Sequence, residues 1–204
     1  LIARRQSYNP NPTHPMDFYE TGVNSPKSVA FHPQGEKVFV NSLEGESTII
    51  YGKQGFQRLA TISHRFTKKD KPLFASPMPF GYRFAAAIKE PNVFSGRPVE
   101  MEITHNGRFL WVPYYRRDFD TRGVMPSGLA LIDVQTEKIV RVFHTGPIPK
   151  GVSASPDGKL LAISHWGDNS VGLLDISGDN PKRFKPYKLL IVDKQLPLEN
   201  VKAN

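Results

Sequence analysis

The chain has 204 residues, with 27 Lys and Arg against 19 Asp and Glu, so its formal charge is +8 and its pI is about 9.7. It has no cysteine, which excludes disulfides, thiolate zinc sites, a cysteine nucleophile and thioether haem attachment. No apolar run approaches the roughly 18 residues a membrane helix needs, and the basic surface favours anionic partners.

In chain order, residues 1–24 carry no initiator Met, no charged-then-apolar leader and no lipidation motif. They read as the start of a processed chain or of a fragment. Phe18-Tyr19-Glu20-Thr21-Gly22 resembles Val142-Phe143-His144-Thr145-Gly146, so residues 16–21 read as the outer strand of another blade.

Residues 25–65 then introduce a repeat. Ser25-Pro26 opens a strand that ends at Gln34-Gly35, Arg97-Pro98 opens one that ends at Asn106-Gly107, and Ile148-Pro149 opens one that ends at Asp157-Gly158. The Pro-to-Gly distance is nine positions each time. Proline cannot donate to a sheet ladder and sits at a strand start, while the X-Gly pair supplies the positive φ of a tight hairpin. An apolar run follows each glycine. A third strand comes next (Thr48–Tyr51, Leu129–Asp133, Val171–Asp175), then a fourth (Arg58–Ile62, Ile139–Phe143, Lys188–Val192). Four antiparallel strands every 40–50 residues or so is the period of a β-propeller blade. The predicted organisation is three blades (25–65, 98–146, 147–194), a long insertion at 66–97 and a tail at 195–204.

The third unit carries the most specific pattern. Gly146-Pro147-Ile148-Pro149-Lys150-Gly151-Val152, Ser155-Pro156-Asp157-Gly158-Lys159, Asp168-Asn169-Ser170-Val171 and Leu174-Asp175-Ile176 resemble the YVTN-type repeat. That family takes in surface-layer, YncE-like periplasmic and lactonase-like seven-bladed propellers. The first unit departs from it, with Gly45-Glu46-Ser47-Thr48 at the Asp-Asn-Ser turn and Tyr51 at the Asp after the third strand. The resemblance implies an all-β propeller in the periplasm or outside the cell. Three blades cannot close a ring, so a larger chain or complex is expected to complete it.

Propeller geometry places the D-to-A and B-to-C loops on one face, around the channel mouth. Both enlarged loops of this chain fall there: 66–97, with Phe74, Phe80, Tyr82, Phe84 and Phe94, and Tyr114 to Gly123. Long loops inside a compact domain are usually functional or disordered, and the aromatics of 66–97 argue against disorder. Tyr114, Tyr115, Arg116 and Arg117 form the most suggestive cluster, because guanidinium forks and phenol rings suit a sugar acid, a nucleotide or an acidic peptide. The competing reading packs alternate residues inward and pairs Arg116 and Arg117 with Asp118 and Asp120. Lys27, Arg97, Glu100 and Lys150, at the strand openings, are expected to ring the mouth. His165 and Trp166 sit in the third B-to-C turn as a candidate base and a sugar-stacking platform. Glu100 and Glu102, two apart on one strand, would share a face.

No nucleotide loop, nucleophile elbow or zincin motif occurs, and no close pair of histidines offers metal spacing, so neither a cofactor nor a metal is expected. The residues favour a binding protein for an anionic ligand, a glycan or a protein partner. A lactonase-like hydrolase with acids and a His in the channel comes second, and nucleic-acid binding third.

Overall fold

The computed structural model describes residues 23–75, 79–84, 86, 88–116 and 125–193. The outer strand expected at 16–21 and the tail at 195–204 lie outside the described residues.

The first blade is a four-stranded antiparallel sheet in sequence order: β1 (Pro26–Phe31), β2 (Lys37–Ser42), β3 (Ser47–Gly52) and β4 (Arg58–Ser63). Then come β5 (Arg65–Phe66), β6 (Phe94–Pro98), β7 (Glu102–Thr104), β8 (Phe109–Arg116), β9 (Ser127–Asp133) and β10 (Lys138–Thr145), which form the middle sheet. The third blade repeats the meander with β11 (Pro149–Ala154), β12 (Leu160–His165), β13 (Ser170–Asp175) and β14 (Lys185–Ile191). Three consecutive antiparallel meanders packed face to face are β-propeller blades, as the repeat predicts.

The middle blade departs from one expectation. The Pro98-to-Gly107 alignment implies one continuous inner strand, yet β6 and β7 pair separately with β8, leaving Val99, Glu100 and Met101 between them. Pro113 of β8 lies opposite this gap. The Pro113 carbonyl accepts from Val99 N at 3.0 Å, but Pro113 has no N–H to return. Glu100 and Glu102 are therefore not neighbours on one strand face. The Glu102 carboxylate accepts from Ala154 N at 2.9 Å in the third blade.

Two apolar cores lie between the blades. Phe39, Ile50 and Ile62 of the first blade pack on Leu110, Val112, Ala130, Ile132 and Val142 of the second. Phe109, Trp111, Leu129, Leu131 and Phe143 on its other face pack on Leu161, Ile163 and Leu174 of the third. Alternation along each strand creates both faces. The third blade repeats the pattern once more: Ala162, Val171, Leu173 and Leu190 occupy the places of Trp111, Leu129, Leu131 and Phe143. These four are only partly buried or exposed, whereas their counterparts are at most 1% exposed. This outer face has the make-up of an interblade face and lacks the cover its equivalents have among the described residues.

Histidines staple the hairpin-turn end of the blades. His32 Nε2 lies 3.2 Å from the Gly107 carbonyl, and His105 Nε2 lies 3.0 and 2.9 Å from the carbonyls of Ile176 and Gly178. Each ring reaches from one blade to the next. No helix among the described residues is long and apolar enough to cross a membrane.

Candidate functional site

The antiparallel register puts Pro26 opposite Ser42 and Pro149 opposite His165, so the strand-opening prolines and the B-to-C turns share one end of the blades. The first and third blades build this end identically. Ser25 and Ile148 take positive φ, 53° and 47°, before their prolines. Leu43 N and Glu44 N donate to Ser25 O and Asn24 O at 3.0 and 3.2 Å, just as Trp166 N and Gly167 N donate to Ile148 O and Pro147 O at 2.9 and 3.1 Å. Lys27 and Lys150 thus stand at equivalent places, one step along the inner strand. Lys27 is exposed, and Lys150 carries its ammonium 5.4 Å from the centroid of the Trp166 ring. Trp166 is 71% exposed.

The other candidates make contacts within the fold. Arg97 pairs with Glu44 at 3.5 Å, tying the middle blade to the first blade's B-to-C turn. The Glu100 carbonyl accepts from Asn41 Nδ2 at 2.9 Å. Tyr114 is fully buried, its ring lying over Gly96 and Gly128, and burial pushes its phenol well above the usual range. Arg116 is 4% exposed, its guanidinium 3.9 Å from the Phe94 centroid and 4.7 Å from that of Phe84, so the cluster of two tyrosines and two arginines is not displayed as a group. Tyr115 gives its backbone to β8 opposite Arg97. Arg117, Asp118 and Asp120 lie outside the described residues.

His165 is not a loop residue. It closes β12, is 1% exposed, and sits in a directed hydrogen-bond chain. Ser170 Oγ donates to Asp168 at 2.7 Å, so it accepts from His165 Nδ1 at 2.9 Å. That leaves His165 Nε2 to accept from Thr145 Oγ1 at 2.5 Å. Tyr82 Oη also donates to Asp168, and burial with this carboxylate beside it raises the phenol's pKa. Burial holds His165 down at about 4, against the opposing pull of Asp168. A Ser, a His and an Asp are in contact here, but Ser170 is 2% exposed and spends its proton on Asp168, so the trio holds structure and cannot reach a substrate. His64 resembles it: Thr48 Oγ1 donates to Asn41 Oδ1 at 2.7 Å and lies 2.8 Å from His64 Nε2, which donates to it. His144 Nε2 donates to Asn92 Oδ1 at 2.8 Å. Burial lowers both rings to about 3, with the Arg116 charge adding to the effect on His144.

The described residues of the segment expected as a loop at 66–97 form a strap across the blades. Its stem is β5 paired with β6. Leu73 and Phe74 then enter the core between the first two blades, with Ala75 N donating to Val142 O at 2.8 Å on outer strand β10. Phe80 joins the next core, and Tyr82 reaches the third blade's B-to-C turn. Two glycines make room for it. A Cβ on Gly172 would meet the Phe80 ring at 2.8 Å, and one on Gly146 would meet the Tyr82 oxygen at 2.6 Å. Tyr82, Asp168 and Asn41 are the residues the sequence reading missed. The aromatic content of 66–97 and the Asp-Asn-Ser turn were the available signals. Tyr82→Phe should leave the melting temperature within a few degrees but raise proteolytic cleavage or amide exchange across residues 79–84. The loss is one hydrogen bond to a charged acceptor, worth roughly 1.5–3 kcal/mol.

Comparison with known proteins bears on the fold. No family model matches the chain. An 80-residue stretch is 28% identical to Antigen Lp49 of Leptospira interrogans, covering 37% of this chain and 18% of that protein. Among solved structures, a candidate 6-phosphogluconolactonase of Bacteroides uniformis superposes with a TM-score of 0.60 at 13% identity, over 92% of this chain and 47% of that one. The periplasmic gluconolactonase of Pseudomonas aeruginosa superposes with a TM-score of 0.50 at 12% identity, over 85% and 41%. The chain thus spans less than half the length of these structures. At such identities the likeness establishes the architecture, and the chain is a β-propeller segment resembling proteins of lactonase name.

Proposed function

We propose that this chain belongs to an extracytoplasmic β-propeller binding protein whose loop face takes an anionic ligand, a glycan or a protein partner. The observation that carries this reading is the recurrence of lysine at one structural position. Lys27 and Lys150 open the inner strands of two blades built alike, on the face where the enlarged loops gather. Positive charge repeated on one face of separate blades attracts anions more strongly than scattered surface lysines do. The half-exposed outer face of the third blade supports completion of the ring by further blades of a larger chain or of a complex. The periplasmic neighbour supports the location.

A lactonase reading draws on the names of the neighbours. It fits the described residues less well, because His32, His64, His105, His144 and His165 are all engaged in hydrogen bonds within the fold. Nucleic-acid binding draws on the basic charge and on the resemblance to YncE-like propellers, and ranks third.

Salt elution from an immobilised sulfated polysaccharide tests the reading. Lys27→Glu with Lys150→Glu should elute at clearly lower salt than the parent. The control, Lys53→Glu with Lys159→Glu in turns at the opposite end, removes the same charge and should shift elution much less. Equal shifts would show that net charge acts without a site.

A further inference from the structure

We infer that Trp166 is the stacking platform for a sugar ring of an acidic saccharide, with Lys150 taking the carboxylate or sulfate of that ligand; this rests on the loop-face reading above.

The turn itself does not need an exposed aromatic. The first blade makes the same B-to-C turn with the same two backbone hydrogen bonds and places a half-buried Leu43 where the third blade has Trp166. An indole left 71% exposed gives up burial free energy that a smaller apolar residue would not have to forgo. The mount is also rigid. Trp166 and Gly167 are pinned by backbone bonds to the D-to-A connection. Asp168 is clasped by Tyr82 and Ser170, and the Asn169 carbonyl accepts from Val192 N at 2.9 Å. Every neighbour of the ring along the chain is therefore fixed, which lowers the entropy lost when a ligand settles on it.

The surroundings fit a polyhydroxylated acid. The Lys150 ammonium lies over one face of the indole, 5.4 Å from its centroid, so a sugar takes the other face and reaches the ammonium with an anionic group past the ring edge. Asn169 is exposed on the same turn. Apolar C–H faces of a pyranose match the indole. Its hydroxyls match this amide, and its acid matches the lysine.

The protein has two tryptophans, and they differ sharply: Trp111 is fully buried, with its indole N–H donating to Thr104 Oγ1 at 2.9 Å, whereas Trp166 is open. Long-wavelength emission that iodide quenches thus reports Trp166. Titration with an oligogalacturonate should give a saturable quench and blue shift of that emission. An uncharged gluco-oligosaccharide of equal length should bind at least tenfold more weakly, and inorganic sulfate should leave the emission unchanged. By calorimetry, Trp166→Ala and Lys150→Gln should each weaken the acidic oligosaccharide at least tenfold, while Trp166→Phe retains part of the affinity and the Trp111 emission confirms the fold. Undiminished binding by Trp166→Ala overturns the assignment. If the Lys27→Glu, Lys150→Glu variant loses polysaccharide retention yet no saccharide perturbs Trp166, the saccharide assignment falls and the loop-face reading stands. If retention is also unaffected by that variant, both fall.

Discussion

Acidification from pH 7 to pH 5 is expected to unfold this segment well before its carboxylates titrate. His64, His144 and His165 are held neutral in the folded chain, at about 3, 3 and 4, chiefly because burial strips the charged ring of water. In the unfolded chain they take up protons near pH 6.5. The folded pKa values lie below the unfolded ones, so their contribution is complete above about pH 6.5. It is lost as the pH falls from there toward the folded values, since only the unfolded state gains protons in that window. Each histidine approaches a slope of about 1.4 kcal/mol per pH unit only below pH 6.5; from pH 7 to pH 5 the loss is about 2 kcal/mol per ring and about 6 for the three, comparable to the whole stability of a marginal domain. Urea melts at pH 7.5, 6.0 and 5.0 should show the midpoint dropping steeply, with the slope reduced by about a third in His144→Gln. A midpoint flat between pH 7 and 5 would mean these rings are protonated or hydrated in the folded protein.

Replacing Trp111 by alanine should cost about 3–5 kcal/mol, the largest single side-chain effect in the segment. Trp111 lies at the centre of the core between the second and third blades, fully buried, with ring centroids 6.0 Å from Phe143 and 5.8 Å from Phe184. Its removal opens a cavity walled by elements of two rigid sheets, which collapse poorly into the space. It also leaves Thr104 Oγ1 without the indole donor. Trp111→Phe keeps most of the volume and should cost less than half as much. Denaturation at neutral pH followed through Trp166 and through circular dichroism measures both. A loss under about 1 kcal/mol for the alanine variant would show that the two blades are not packed as described.

The blades could be read from the sequence because their signals are periodic. Proline at the strand start, an X-Gly turn nine positions on and an apolar run recur three times, and each has a backbone cause. The break in the middle blade's inner strand escaped because it combines a one-residue register shift that all three blades share after the strand-opening proline with Pro113 on the neighbouring strand, which has no N–H to return and which the alignment of inner strands does not consult. Lys27 and Lys150 were legible as a pair for the same periodic reason. The fate of Arg116 was not. Whether a guanidinium is displayed or laid between Phe84 and Phe94 depends on residues about 20 to 30 positions away, in a segment with no repeat. His165 and Tyr82 likewise meet across 83 positions, through side chains alone.

A row of repeats in which each unit touches only its neighbours can lose its terminal members one at a time. The strap alters that arithmetic. It starts in a strand pair beside the first blade, lays Phe74 into one interblade core and Phe80 into the next, and fastens Tyr82 to the third blade. Peeling away the third blade must therefore also dislodge a segment rooted two units back, so the energetics acquire a coupling between units that share no sheet-to-sheet interface. The three blades should melt as one cooperative body, and cutting the strap, with every blade untouched, should be enough to divide that single transition into steps.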